Sequence, residues 1–129
     1  MRVGCDVQSV DDVRTAIETH GDHYLRRMLG DGERAEAARL PTPELVARYA
    51  SGRFAAKEAV YKALRGQPNA PLTWPQIEIV ADDAGAPRVR LSGAAAELST
   101  SAGIGDIAVS ISHAAAFAFA VATAVAVTS

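Results

Sequence analysis

An α+β fold is predicted for this 129-residue chain by three features of its sequence. Apolar residues recur at helical spacing through most of the first half, and from Gln76 onward the pattern switches to strand alternation. No glycine-rich loop joins the first apolar strand to the first helix, which argues against a dinucleotide fold. No internal repeat or low-complexity linker divides the chain, so residues 1–129 are expected to form a single domain.

Arg2 to Val7 has the character of a short strand. Ser9 then stands where a helix N-cap belongs, with Asp12 three residues on, and the helix that follows should end or bend at His20-Gly21-Asp22. A second helical piece over His23 to Leu29 turns Tyr24, Leu25 and Met28 inward and leaves Arg26 and Arg27 outside. Gly30-Asp31-Gly32 and Leu40-Pro41-Thr42-Pro43 are breaks. Thr42-Pro43-Glu44-Leu45 starts a long helix to about Leu64, with Ser51-Gly52 as a candidate kink and Gly66 to Pro71 as its stop.

Gln76 to Val80 and Arg88 to Leu91 form the arms of a hairpin around the turn at Asp82 to Pro87. Gly93 to about Ser101 is an alanine-rich helix, and Ile107 to Ser112 and Phe117 to Val127 are two further strands. In the last of these, Phe117, Phe119, Val121, Val125 and Val127 share one face and alanines occupy the other. The large residues are expected to face a core, and the alanine face must be covered closely by a helix or by another copy of the sheet.

Composition narrows the function classes. A net charge of −2 argues against a general nucleic-acid binder, although residues 1–66 hold 11 of the 13 lysines and arginines, beside 10 of the 15 acids. Cys5 is the only cysteine, which rules out an internal disulfide or a cysteine-rich zinc site and fits a reducing compartment. No signal-peptide pattern opens the sequence, and Ala114 to Ala126 is too short and too alternating to span a bilayer. A cytoplasmic protein without a membrane partner is expected. Hydrophobic residues make up 49% of the chain but aromatics only 5%, so the core is built from small side chains and subunit contacts could add to stability.

Three groups of residues could carry chemistry. Glu58 and Lys62 are four apart in Arg53 to Leu64 and share a helix face, which suits either a surface ion pair or a site that holds a cation and grips a phosphate. The surrounding Ala55, Ala56, Ala59 and Ala63 allow close approach to that helix. Asp6, between Cys5 and Val7, is either a strand-end cap or a second carboxylate for the same site. Two carboxylates with waters and a substrate phosphate suit Mg²⁺, which keeps much of its hydration. Ser110-Ile111-Ser112-His113 ends a strand, where the histidine is either a structural hydrogen-bonding residue or part of a site. A Ser-His hydrolase is disfavoured because no nucleophile elbow is present.

In order along the chain, Gly4-Cys5-Asp6-Val7, Arg53-Phe54-Ala55-Ala56-Lys57-Glu58-Ala59 with Lys62, and Ser110-Ile111-Ser112-His113 resemble the holo-acyl-carrier-protein synthases. These are the small, trimeric 4′-phosphopantetheinyl transferases. Trp74, Ile77-Glu78-Ile79 and Gly85-Ala86-Pro87 are similar as well. The resemblance implies an antiparallel-sheet transferase fold and a homotrimer. It further implies Mg²⁺-dependent transfer of the phosphopantetheine arm of coenzyme A to a serine of an apo acyl carrier protein, of fatty-acid or polyketide assembly, with release of 3′,5′-ADP. Asp6 and Glu58 match the metal ligands and Lys62 the phosphate-side lysine. Arg53, Gly85, Pro87, Ser112 and His113 match a coenzyme A cleft that lies between neighbouring subunits.

Acyl carrier proteins are acidic, so Arg14, Arg26 and Arg27 offer them a docking patch that would act mainly on association rate. Two positions depart from the pattern: Cys5 replaces an isoleucine, and Ala114 follows the histidine where an acidic or hydroxyl residue is common. The second departure admits an alternative, a carrier-binding module of the same fold without chemistry. A metal-dependent phosphohydrolase is a third reading, with no residue pattern to position its water.

Overall fold

The computed structural model describes residues 1–65 and 72–127. Strand β1 (Arg2–Ser9) leads into helices α1 (Val10–His20), α2 (Asp22–Met28), α3 (Asp31–Ala38) and the long α4 (Pro43–Ala63). A short 3₁₀ turn at Trp74–Gln76 precedes the hairpin of β2 (Ile77–Ala81) and β3 (Pro87–Leu91), then come α5 (Gly93–Ser101), β4 (Ile104–Ala114) and β5 (Phe117–Ala126). The main sheet is antiparallel in the order β1-β5-β4, and β2-β3 forms a second, two-stranded sheet.

Local chemistry sets most boundaries. The Ser9 hydroxyl accepts the Asp12 backbone N–H at 3.2 Å, and Thr42 does the same for Leu45 at 3.1 Å, with Pro43 opening α4. Gly21 ends α1 at φ +58°, a backbone geometry that favours glycine. The Ser51-Gly52 pair does not interrupt α4, which runs as one helix of 21 residues. The predicted stop at Gly66 to Pro71 lies outside the described residues. Helix α3 has no counterpart among the predicted elements: Gly30-Asp31-Gly32 is the start of this helix rather than a plain break, and the Gly30 N–H donates to the Glu33 side chain at 2.9 Å.

The expectation for β5 is reversed. Ala118, Ala120, Ala122 and Ala124 are fully buried, whereas Phe117, Phe119, Val125 and Val127 are exposed. The reason lies in α4, which presents Gly52, Ala55, Ala56, Ala59 and Ala63 as buried residues, the four alanines fully so. Small side chains on both surfaces let helix and sheet approach closely and pack densely. Of the two covers considered for the alanine face, the helix is the one present. The large residues, with Val3 and Val7 of β1, form an open apolar face on the other side.

Gly4 marks the tightest contact. A Cβ built there would lie 2.0 Å from the Ala59 carbonyl oxygen and 2.8 Å from the Ala63 nitrogen. Both are helix backbone and neither can turn aside. Gly4→Ala is expected to destabilise the protein by about 2 kcal/mol or more through overpacking. Denaturant unfolding checks this, and a loss below about 0.5 kcal/mol would show that β1 and α4 separate freely.

Candidate active site

Gly4 lets β1 lie against α4, and strand alternation then points Asp6 at the helix while Cys5 and Val7 face the open side. One helical turn separates Glu58 from Lys62 on that flank. The Lys62 ammonium donates to the Cys5 carbonyl at 3.0 Å and to the Asp6 carboxylate at 3.3 Å, with Asp6 largely buried and Lys62 half-exposed. Gln8 Nε2 donates to the other Asp6 oxygen at 2.6 Å. Lys62 therefore pairs with Asp6, and among the described residues no direct ion pair joins it to Glu58.

Burial, followed by repulsion from Asp6, pushes the Glu58 carboxyl above the ordinary glutamate range, with Lys62 only partly opposing the shift. Two carboxylates thus crowd one another beside a single ammonium. Such a pair of hard oxygen donors fits Mg²⁺, an ion that takes much of its remaining coordination from water and phosphate. Among the described residues no cluster of three or more His, Cys, Asp or Glu is placed to enclose a metal, so any cation here would depend on water or substrate for its remaining ligands.

The other flank of α4 carries a second set. Arg53 stands about 140° around the helix from Glu58 and about 180° from Lys62. It lines a cleft of about 280 Å³ with Gly85, Pro87, Val109, Ile111 and His113. The predicted cleft residues Arg53, Gly85, Pro87 and His113 are thereby brought together. Ser112 is not: it pairs with Phe119 on the open face of the sheet, while His113, one residue on, turns to the α4 side. His113 Nε2 lies 2.8 Å from the Arg48 carbonyl and must be the donor there, so the structural role for this histidine holds alongside its place in the cleft.

The predicted docking arginines differ in availability. Arg14 is engaged by Asp11 at 2.7 Å and Glu44 at 2.5 Å, and Arg26 by Asp22 at 3.0 Å. Arg27 is exposed with no ion-pair partner among the described residues.

Other important side chains escaped the sequence reading. Lys57, beside Glu58 in the chain, is fully buried, and its ammonium donates to Glu33 at 2.5 Å, to the Trp74 carbonyl at 3.2 Å and to the Ile77 carbonyl. Glu33 also accepts the backbone N–H of Gly30 at 2.9 Å and of Ile79 at 3.0 Å. Burial raises the Glu33 carboxyl and lowers the Lys57 ammonium from their ordinary values. One turn along α3, Glu36 accepts from Tyr49 Oη at 2.5 Å, from Arg53 at 3.4 Å and from the Ala81 N–H at 2.9 Å. Two glutamates three residues apart in a short helix are the local signal of this arrangement, and they look the same on a solvated surface.

A carboxylate pair with a lysine on one flank of a helix, and a cleft lined by Arg53 on the other, is an arrangement suited to phosphoryl transfer. The sequence profile of the 4′-phosphopantetheinyl transferase superfamily matches residues 2–122. A holo-acyl-carrier-protein synthase of Delftia acidovorans is 36% identical over 97 residues, covering 74% of this chain and 74% of that protein. The crystal structure of the holo-ACP synthase from Plasmodium yoelii superposes with a TM-score of 0.86 at 31% identity, over 98% of this chain and 95% of that one. The Helicobacter pylori synthase in complex with coenzyme A superposes with a TM-score of 0.80 at 28% identity, over 95% and 99%. The chain belongs to the 4′-phosphopantetheinyl transferase superfamily and, within it, to the holo-acyl-carrier-protein synthases. It is an enzyme of transferase type, and no described helix is long and apolar enough to cross a membrane.

Proposed function

We propose that the chain transfers the 4′-phosphopantetheine arm of coenzyme A to a serine of an apo acyl carrier protein and releases 3′,5′-ADP. The serine oxygen forms a bond to the phosphorus bearing the pantetheine arm, and the bond from that phosphorus to the ADP oxygen breaks. The observation that carries this reading is the approach of Asp6, Glu58 and Lys62 to one another on one flank of α4. Asp6 and Glu58 would hold Mg²⁺, which when bound neutralises charge on the diphosphate. Lys62, reaching solvent from its contact with Asp6, supplies a positive charge to the departing phosphate. Ala114 has no group to take the serine proton, which leaves that role to Glu58 or to a group of the carrier protein.

The cleft of Arg53, Gly85, Pro87 and His113 is assigned to coenzyme A, with Ser112 reaching it from a second copy. The separation of Arg53 from Lys62 around α4 supports a site shared between copies, because one chain holds its two halves on opposite sides of the helix. The apolar face of Val3, Val7, Phe117, Phe119 and Val125 is the surface that a homotrimer would bury. Phe119→Asp is expected to yield monomers by light scattering and to abolish transfer with the secondary structure intact. A trimer that survives this change would place the interface elsewhere. Arg26 and Arg27, with Arg14 behind its two carboxylates, are assigned to carrier docking, and the reaction is assigned to the cytoplasm.

The test is intact-mass measurement of several apo carrier proteins after incubation with the enzyme, coenzyme A and Mg²⁺. A carrier should gain the mass of the arm, and only with the metal present. Binding of carriers without any mass gain would favour the alternative of a non-catalytic module, which Ala114 alone keeps in view.

A further inference from the structure

Strand β2 has one edge paired with β3, and along its other edge the Ile79 and Ala81 N–H groups go to two carboxylates of α3. Glu33 takes the first and Lys57, and Glu36 takes the second and Arg53. The two carboxylates differ in setting. Glu33 is fully buried, whereas Glu36 keeps a quarter of its side chain exposed and sits beside the cleft.

We propose that Glu36 is a positioning residue for coenzyme A: it sets the Arg53 guanidinium and the start of the 82–87 turn in the geometry that receives the nucleotide end. This rests on assigning the cleft to coenzyme A. Three contacts hold Arg53 in place: Nη2 to Glu36 at 3.4 Å, Nε to the Ile79 carbonyl at 3.1 Å, and the guanidinium over the Tyr49 ring at 4.5 Å, whose hydroxyl itself donates to Glu36. The Nη1 group has no partner among the described residues, which leaves it for a ligand. Through the Ala81 N–H, Glu36 also fixes the residue before Asp82. Asp82 closes the turn by accepting the Ala84 and Ala86 N–H groups, each at 2.9 Å, and the turn carries Gly85 and Pro87 into the same cleft. Burial opposes ionisation of Glu36, but its Tyr49, Ala81 and Arg53 donors outweigh that effect and keep the carboxyl below its ordinary value. A charged acceptor shared by both walls of the cleft orders them before the ligand arrives, which lowers the cost of binding.

Steady-state kinetics with coenzyme A, Mg²⁺ and an apo carrier test this. Glu36→Gln should raise KM for coenzyme A about tenfold, the scale of one lost charged hydrogen bond, with kcat within about twofold and KM for the carrier unchanged. Glu36→Asp, which keeps the charge, should recover part of the loss and stands in if the glutamine variant does not fold. Combined with Arg53→Ala, Glu36→Gln should add little to the arginine variant's effect. Additive effects, or equal rises in both KM values, would overturn the proposal and leave Glu36 a structural residue. If Arg53→Ala itself leaves KM for coenzyme A unchanged, the cleft assignment fails instead, and the positioning role fails with it.

Discussion

Glu58→Gln is expected to lower transfer on the order of a thousandfold while raising the melting temperature of the metal-free protein. The loss follows from removing one of the two carboxylates that would hold the cation and receive the serine proton. The gain follows from the burial of Glu58 and, after it, from repulsion by Asp6. Burial and Asp6 hold the Glu58 carboxyl above its value in the unfolded chain, so the folded protein binds that proton more tightly. Stability from this group is therefore greatest at low pH, falls as pH rises from the ordinary glutamate range through the raised value, and stays at its lower level near neutrality. Glutamine removes that penalty. Because the side chain is only partly buried, the gain should be no more than about 1 kcal/mol, or a few degrees. Thermal scans across the acidic range, with and without Mg²⁺, provide the check. The wild type should be stabilised by the ion and the variant should not; a variant that melts lower, or keeps more than a tenth of its activity, contradicts the assignment.

Lys57→Met should cost about 3–5 kcal/mol, since it leaves the Glu33 carboxylate buried with its main counter-charge gone. Glu33 would keep the Gly30 and Ile79 donors, but the Trp74 and Ile77 carbonyls would lose theirs. The double variant Lys57→Met with Glu33→Met should recover much of that loss, because an apolar pair of similar size avoids burying charge at all. Urea unfolding of the single and double variants measures both terms. A single-variant cost below about 1 kcal/mol would mean that the pair is solvated in solution and does not tie α3 and β2 to α4.

These expectations expose how unevenly the sequence speaks about the site. The four-residue spacing of Glu58 and Lys62 was legible, and so was their shared helix face. Spacing alone could not say that Lys62 turns to Asp6 and leaves Glu58 to the carboxylate repulsion. Lys57 stands one residue from Glu58 and has the same charge as Lys62, yet it is fully buried and Lys62 is half-exposed. A helix places neighbours about 100° apart, so adjacent residues enter different environments, and only the packing of α4 reveals which environment each one meets. Ser112 and His113 part in the same way, because a strand sends neighbours to opposite faces.

Local chemistry by itself determined a good deal: the caps at Ser9 and Thr42, the hairpin around Asp82 to Pro87, the helix beginning at Gly93 and the alternation along β5 all depend on residues close in the chain. The motif residues Asp6, Glu58 and Lys62 could be picked out for the same reason. Tertiary structure decided which face of β5 is interior, and it chose the alanines because α4 meets them with residues equally small. It also decided that Glu33 and Glu36 of an unanticipated helix complete the free edge of β2 and reach the cations of α4. Alternation identifies two faces without ranking them, and a carboxylate's partner is set by contacts distant in sequence, so both outcomes await the folded chain.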